Sequence, residues 1–314
     1  MNIDNIKRIL IVGAGNMGHS IALVFAQAGY DIDLLDVNED ILNNALKLIE
    51  SNLNILSEFN RVNKKEIPGI LKRIHPTTNL TTAAENADFV TEAVSELPEL
   101  KKKVFFKLDR HCSEDVVLAS NTSTLDIFRI VKKIPRINKV IAHHYFSPPH
   151  IIPIVEIAVG RKTSKETVDF SLKLMEKIKK KPILMEKSAP SYIVNKIQTS
   201  IIGAMYELIA RDLATPEQID LAIKYTLGIR LPIVGIVQAQ DFTGLDLLHD
   251  VLKNRHIEVQ FINEKIEKGH LGAKSGVGFY DYGGRTEQEI LKKRDRLYLQ
   301  MLEHLEKINA FEPI

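Results

Sequence analysis

The chain has 314 residues, 45% of them hydrophobic, with 42 Lys and Arg against 40 Asp and Glu. That length exceeds the usual single domain and that apolar content supports more than one core, so two domains are expected; the balanced charge gives no case for nucleic acid or an anionic membrane surface as partner. Cys112 is the single cysteine, which excludes an internal disulfide; it lacks the neighbouring Cys and His spacing of a zinc site, so no metal is expected and a reducing cytoplasm fits.

The opening "MNIDNIKRILIVGAG" enters an apolar strand pattern almost at once, without a signal-peptide core, and no apolar run reaches membrane-spanning length. Neither export nor insertion is expected. "RILIV" (8–12) reads as a parallel strand buried on both faces. "GAGNMG" follows, then "HSIALVFAQAG" with Ile21, Val24, Phe25 and Ala28 at helical spacing and Gly29 as the stop. The second strand, "YDIDLLD", ends in Asp36, 21 residues after Gly15.

A glycine-rich turn alone is common, but Gly13, Gly15 and Gly18 stand between a strand and a helix with an acid at the end of the next strand, the pattern of a dinucleotide site. Gly13 permits the tight turn, Gly15 lets backbone approach a pyrophosphate with Asn16 and Met17 at the helix start, and Gly18 permits close packing. Asp36 accepts from ribose hydroxyls and repels a 2′-phosphate, so NAD is favoured over NADP.

Residues 39–73 read as a charged pair of helices. Strand-like runs recur at 87–94, 115–120, 138–144, 152–159 and 181–185, several of them separated by helical patterns, which predicts a doubly wound α/β sheet. Ligands gather beyond the carboxyl ends of such strands, so "NTS" (121–123) and "HHYFSPP" (143–149) are expected in the nucleotide crevice. The lysine runs 101–103 and 177–181 read as solvated helix faces. After Lys187 the pattern turns wholly helical: "SAPSYIVNKIQTSIIGAMYELIARDL" carries Ile193, Ile197, Ile201, Met205 and Leu208 on one stripe, and Thr215, Pro216 and Gln218 form a capping box. The expected division is a nucleotide-binding domain over 1–187 and a helical domain over 188–314.

From "IVGAGNMG" through "EAVSE", "SNTSTL" and "HYFSPPHIIPIVEI" to "YIVNK" and "SGVGFYDY", the chain resembles the L-3-hydroxyacyl-CoA dehydrogenase superfamily across nearly all of residues 8–282. The resemblance implies a Rossmann-like domain, a helical C-terminal domain for substrate binding that usually forms a homodimer, and an active site between them. It places the catalytic histidine at His144 rather than His143, a choice that spacing leaves open, with Glu156 orienting it. It implies Ser123, Asn195 and Ser147 around the substrate, Asn121 beside the cofactor junction, and Glu96 and Lys101 at the nicotinamide-side ribose. Oxidising a secondary alcohol removes a hydride and a proton; NAD takes only the hydride, and a neutral His144 would take the proton.

Two departures stand out. Ser147 replaces the asparagine that many of the acyl-CoA enzymes carry, and Ser20 replaces a common glycine. "SPPHIIPIVEI", "LGIRLPIVG" and the tail after Tyr282 are similar to the L-gulonate dehydrogenase, carnitine dehydrogenase and lambda-crystallin branches. Three readings follow: a dehydrogenase of short 3-hydroxyacyl-CoA thioesters such as 3-hydroxybutyryl-CoA, a dehydrogenase of a free polar 3-hydroxy acid, and a noncatalytic NAD-binding structural protein.

Overall fold

A computed structural model describes residues 2–187 and 191–313. The chain divides into two compact units, Met1–Ser200 and Ile201–Ile314.

In the first unit the apolar run Arg8–Val12 forms β1, and α1 (Gly18–Gln27) follows the glycine turn. As predicted, α1 stops at Gly29, whose φ of +99° suits glycine. Next come β2 (Asp31–Leu35), the amphipathic α2 (Glu39–Glu58), and the short α3 (Ile67–Leu71). The four-residue β3 (Ile74–Thr77) escapes the sequence pattern, which carries helix over 39–73 and no strand after it before residue 87. Pro76 disguises it, and a proline is tolerated because β3 lies at the sheet edge. The unit continues with α4 (Leu80–Glu85), β4 (Phe89–Glu92), α5 (Pro98–His111), β5 (Val117–Ser120), α6 (Ile127–Ile130), β6 (Val140–Tyr145), β7 (Ile154–Ala158), α7 (Lys165–Lys177) and β8 (Lys181–Met185).

Among the described residues the strands form one eight-stranded sheet in the order β3-β2-β1-β4-β5-β6-β7-β8. All neighbours pair in parallel except β6 and β7. The order reverses between β1 and β4, where adjacent connections leave on opposite sides and open a crevice beyond the strand ends. Two cores fill the faces, one around Phe25, Phe89, Tyr145 and Phe170, the other around Leu10, Phe105, Leu118 and Ile127. The doubly wound sheet expected from the alternating pattern is thus present.

The lysine runs are not uniformly solvated. Lys101 and Lys180 are buried, because the helical period turns one lysine of the first run inward and the second run passes from α7 through a tight turn into β8.

The predicted helix from Ser188 also starts later. Residues 188–190 lie outside those described, and Ser191 and Tyr192 have φ of +66° and +49°, so helix begins only with α8 (Val194–Ala210). Beyond it, α9 (Pro216–Lys224) opens with the predicted capping box, Thr215 N–H donating to Gln218 Oε1 at 2.9 Å and Gln218 N–H to Thr215 Oγ1 at 3.3 Å. In the second unit, α10 (Leu227–Thr243) kinks at Gly235, followed by α11 (Leu245–Asn254), α12 (Gln260–Glu267) and α13 (Glu287–Lys307). Its organising residue is the buried Asp241 at the end of α10. The carboxylate accepts from the Phe279 and Tyr280 amides at 2.7 and 3.0 Å and from the Tyr282 hydroxyl at 3.0 Å, which folds "SGVGFYDY" around it.

Candidate active site

Period-two alternation decides between the adjacent histidines. In the antiparallel pairing of β6 with β7, His144 stands opposite Glu156 and His143 opposite Ile157. Residues opposite one another share a face, so the imidazole and carboxylate twelve positions apart meet: His144 Nδ1 lies 2.8 Å from Glu156 Oε2. Both are buried, His144 3% and Glu156 0% exposed. His143 points to the other face, where its ring stacks on Phe89 with centroids 5.7 Å apart. Neither of its ring nitrogens has a hydrogen-bond partner among the described residues, and burial pushes its pKa down to about 3. It is a neutral core residue.

Glu156 is held from both sides. Its second oxygen, Oε1, accepts from the Ile193 and Val194 amides at 3.0 and 2.9 Å, at the start of α8. Burial acts to raise its pKa, but the hydrogen bonds from His144 and these amides outweigh that and hold the carboxyl below its ordinary value. The left-handed pair Ser191–Tyr192 turns the chain so that these amides face the carboxylate. Tyr192 then packs on His144 with ring centroids 5.2 Å apart, and Phe146 does so at 4.4 Å.

At the β1 end, Gly13 has φ +102°, and a Cβ there would lie 2.6 Å from the Ala93 carbonyl oxygen. A Cβ on Gly18 would run into the Gly13 carbonyl, whereas Gly15 has nothing within 4 Å. Gly15 and Asn16 are exposed, and the N-cap position Met17 gives α1 no side-chain cap. An open backbone approach leading to an uncapped helix N-terminus fits a pyrophosphate. Asp36 closes the turn, accepting from the Ala14 and Val37 amides at 2.8 Å each. A carboxylate retains further acceptor sites for ribose hydroxyls. These residues fit NAD.

Glu96 ties the next two strand-end loops together. Its Oε1 accepts from the Thr122 hydroxyl at 2.6 Å and from the Ser123 and Thr124 amides at 2.8 and 2.9 Å. Although burial opposes ionisation, these bonds and the Lys101 ammonium hold its pKa down to about 2. Asn121 Oδ1 accepts from the Tyr145 amide at 3.0 Å, linking the same loop to the end of β6. Lys101 Nζ donates to Glu92 Oε1 at 2.7 Å and lies 3.2 Å from Glu96 Oε2. Glu92, which sequence reasoning did not single out, ends β4 with 0% exposure and also accepts from Ser120 Oγ at 2.5 Å and the Val94 amide at 2.8 Å. Burial pushes its carboxyl above the ordinary range, against the pull of Lys101 and the other donors. The signal available was an acid inside an otherwise apolar strand, "FVTE". The side chains of Ser123, Ser147 and Asn195 have no hydrogen-bond partner among the described residues, with Ser123 and Asn195 half-buried and Ser147 exposed.

A glycine cradle at the order reversal of a largely parallel sheet, with a buried imidazole–carboxylate pair across two further strands of that sheet, defines the class of dinucleotide-dependent dehydrogenases. Residues 8–188 match the family model described as "3-hydroxyacyl-CoA dehydrogenase, NAD binding domain", and residues 192–282 match "3-hydroxyacyl-CoA dehydrogenase, C-terminal domain". The chain belongs to the 3-hydroxyacyl-CoA dehydrogenase family, and it is an NAD-dependent dehydrogenase acting on a secondary alcohol. It is 33% identical to the probable 3-hydroxybutyryl-CoA dehydrogenase of Bacillus subtilis, over 90% of this chain and 99% of the relative. It is 30% identical to the human lambda-crystallin homolog over 76% of each chain. A solved 3-hydroxyacyl-CoA dehydrogenase from Archaeoglobus fulgidus superimposes with a TM-score of 0.78 at 25% identity, covering 96% of this chain and 99% of that one. No helix among the described residues is long and apolar enough to cross a membrane.

Proposed function

We propose that the chain reversibly oxidises a short L-3-hydroxyacyl-CoA, such as 3-hydroxybutyryl-CoA, to the 3-ketoacyl-CoA. The observation that carries the chemistry is the buried His144–Glu156 pair across β6 and β7, on the same sheet as the nucleotide crevice. Glu156 accepts a hydrogen bond from Nδ1–H, which leaves the Nε2 lone pair of a neutral imidazole to take the hydroxyl proton. Its negative charge then stabilises the imidazolium. NAD, when bound, accepts the hydride. Ser123 and Asn195, whose side chains are uncommitted, orient the alcohol and acyl oxygens, with Ser147 contributing at the substrate. Gly13, Gly15, Asn16, Met17, Gly18 and Asp36 hold the adenosine and pyrophosphate. Glu96, fixed by Lys101, and Asn121 serve the nicotinamide side. The division into a nucleotide-binding part over 1–187 and a helical substrate-binding and dimerisation part over 188–314 is part of the same reading.

Ser147 favours a second reading, a free polar 3-hydroxy acid as substrate, because the family's asparagine is missing beside the reacting centre. Following NADH absorbance with 3-hydroxybutyryl-CoA, 3-hydroxybutyrate, gulonate and carnitine decides between them. Turnover of the CoA thioester well above that of any free acid is expected; turnover of one free acid and of no thioester establishes the alternative.

Asp36 yields a cofactor prediction. With one active substrate, catalytic efficiency is higher with NAD than with NADP, and Asp36→Ala weakens NAD use. Equal or better efficiency of the unaltered protein with NADP would sink this assignment.

A homodimer is the expected assembly. The predicted stripe leaves Ile193, just before α8, and Ile197, Ile201 and Leu208 on it each more than a third exposed, and the second unit exposes Leu213, Leu221, Phe261 and Leu299 as well. Light scattering at micromolar concentration should give about twice the chain mass of 35.5 kDa. A folded, active monomer contradicts it.

A further inference from the structure

His150, the third histidine of "HHYFSPPHIIPIVEI", takes no part in the chemistry above, and neither does Ser20. His150 lies in the turn joining β6 to β7, six residues beyond His144. Ser20 lies in the first turn of α1, on the helix whose N-terminus faces the dinucleotide site. The two meet: Ser20 Oγ is 2.6 Å from His150 Nδ1 and accepts from the His150 amide at 3.2 Å. The amide can only donate, so the hydroxyl oxygen is the acceptor there, and its proton is free to be given to an unprotonated Nδ1. With the hydroxyl as donor, His150 is the tautomer protonated at Nε2. Burial, reinforced by the Lys180 ammonium, holds its imidazolium below the ordinary pKa, so the neutral ring is the favoured form.

The same turn is pinned elsewhere. The buried Lys180 ammonium donates to the Pro149 carbonyl, and to the Ile152 carbonyl at 2.9 Å. Asn121 holds the Tyr145 amide at the turn's base. These two pins fix the turn to the segment leading into β8 and to the loop after β5; the Ser20 pin fixes it to α1. That third attachment bears on the reaction because the proton acceptor rides on the β6–β7 hairpin while α1 and its glycine turn hold the cofactor. Both must address one carbon and its hydroxyl, and an error of about 1 Å in such an arrangement costs up to roughly 10²-fold in rate.

We propose that Ser20 and His150 form a latch that sets the catalytic hairpin against the dinucleotide-binding helix, making them positioning residues for coupled proton and hydride transfer. The inference rests on the reading of His144 as the proton acceptor. Four variants test it: Ser20→Ala, His150→Leu, the double variant, and His150→Asn, whose amide oxygen can stand near the position of Nδ1. Each single removal should lower kcat by about tenfold, with NADH affinity from fluorescence titration changed less than about twofold. The double variant should lose no more than the worse single one, since one interaction is being removed twice. His150→Asn should restore most of kcat.

A second readout needs neither substrate nor nucleotide. Nitrogen-15 NMR of the histidine rings should show His150 unprotonated at Nδ1, and Ser20→Ala should shift that resonance. Multiplicative losses in the double variant, an Asn variant no better than Leu, or a ring protonated at Nδ1 would each overturn the latch. If His144→Asn keeps full turnover while the NMR signature holds, the proton-transfer reading has failed and the latch remains as a contact without that role.

Discussion

Replacing His144 with asparagine is expected to lower turnover by about 10²- to 10⁴-fold, the range typical for loss of a general base, while NADH binding changes little. Asparagine keeps a polar group but offers no basic nitrogen to the substrate hydroxyl. Glu156→Gln should lower turnover on a comparable scale for a more indirect reason. The glutamine must keep its oxygen toward the Ile193 and Val194 amides, which Glu156 Oε1 now satisfies at 3.0 and 2.9 Å. Its NH₂ then faces His144 Nδ1, and a donor there stabilises the tautomer protonated at Nε2. The imidazole would present a proton where it needs a lone pair. The control is His143→Asn, which disturbs the stacking on Phe89 and lowers the melting temperature, yet leaves turnover of the folded protein near that of the parent. Near-native turnover in folded His144→Asn with loss in His143→Asn would show that the wrong histidine carries the chemistry. Retention in both would dismiss the proton-transfer mechanism.

Lys101→Met is expected to destabilise the protein by about 3–5 kcal/mol, the effect of removing one partner of a buried ion pair. Glu92 is 0% exposed and Lys101 1% exposed, so the remaining carboxylate would lose its ammonium with no water to replace it. Ser120 and the Val94 amide would still donate to it, but neither supplies charge. A drop in Tm of roughly 6–20 °C follows for a unit of this size and is measurable by circular dichroism. Lys102→Met gives the contrast. Its ion pair with Glu99 is at 3.5 Å on an exposed helix face, and its loss should change stability by no more than about 0.5 kcal/mol. An unchanged Tm for Lys101→Met together with weakened NADH binding would show that Lys101 serves the cofactor directly rather than the buried end of β4.

Much of this was legible in the sequence because it depends on local order. The glycine turn is a run of neighbours whose φ requirement, packing and helix start lie within six residues, Gly13 to Gly18, and Asp36 follows at the end of the next strand. The parallel strands announce themselves as short apolar runs bounded by turns, and the helix starts by their caps. β3 stayed hidden because an edge strand of four residues containing Pro76 has neither length nor apolar continuity.

Pairings at a distance were not legible. Nothing in the spacing of three histidines says which faces a carboxylate, and family resemblance alone selected His144. The β6–β7 register supplies the physical reason, since one residue's shift along a strand exchanges the core face for the active face. Likewise a lysine run says nothing of Lys101 turning inward to Glu92, and a serine in a helix says nothing of His150, 130 positions away. The sequence by itself determined the α/β class, the dinucleotide turn and NAD as the cofactor, because each is written in local runs of residues. Which imidazole is buried against Glu156, which lysine is buried against Glu92, and what holds the hairpin to α1 were decided by tertiary structure alone, because burial and strand register are properties of the folded sheet and not of any segment in it.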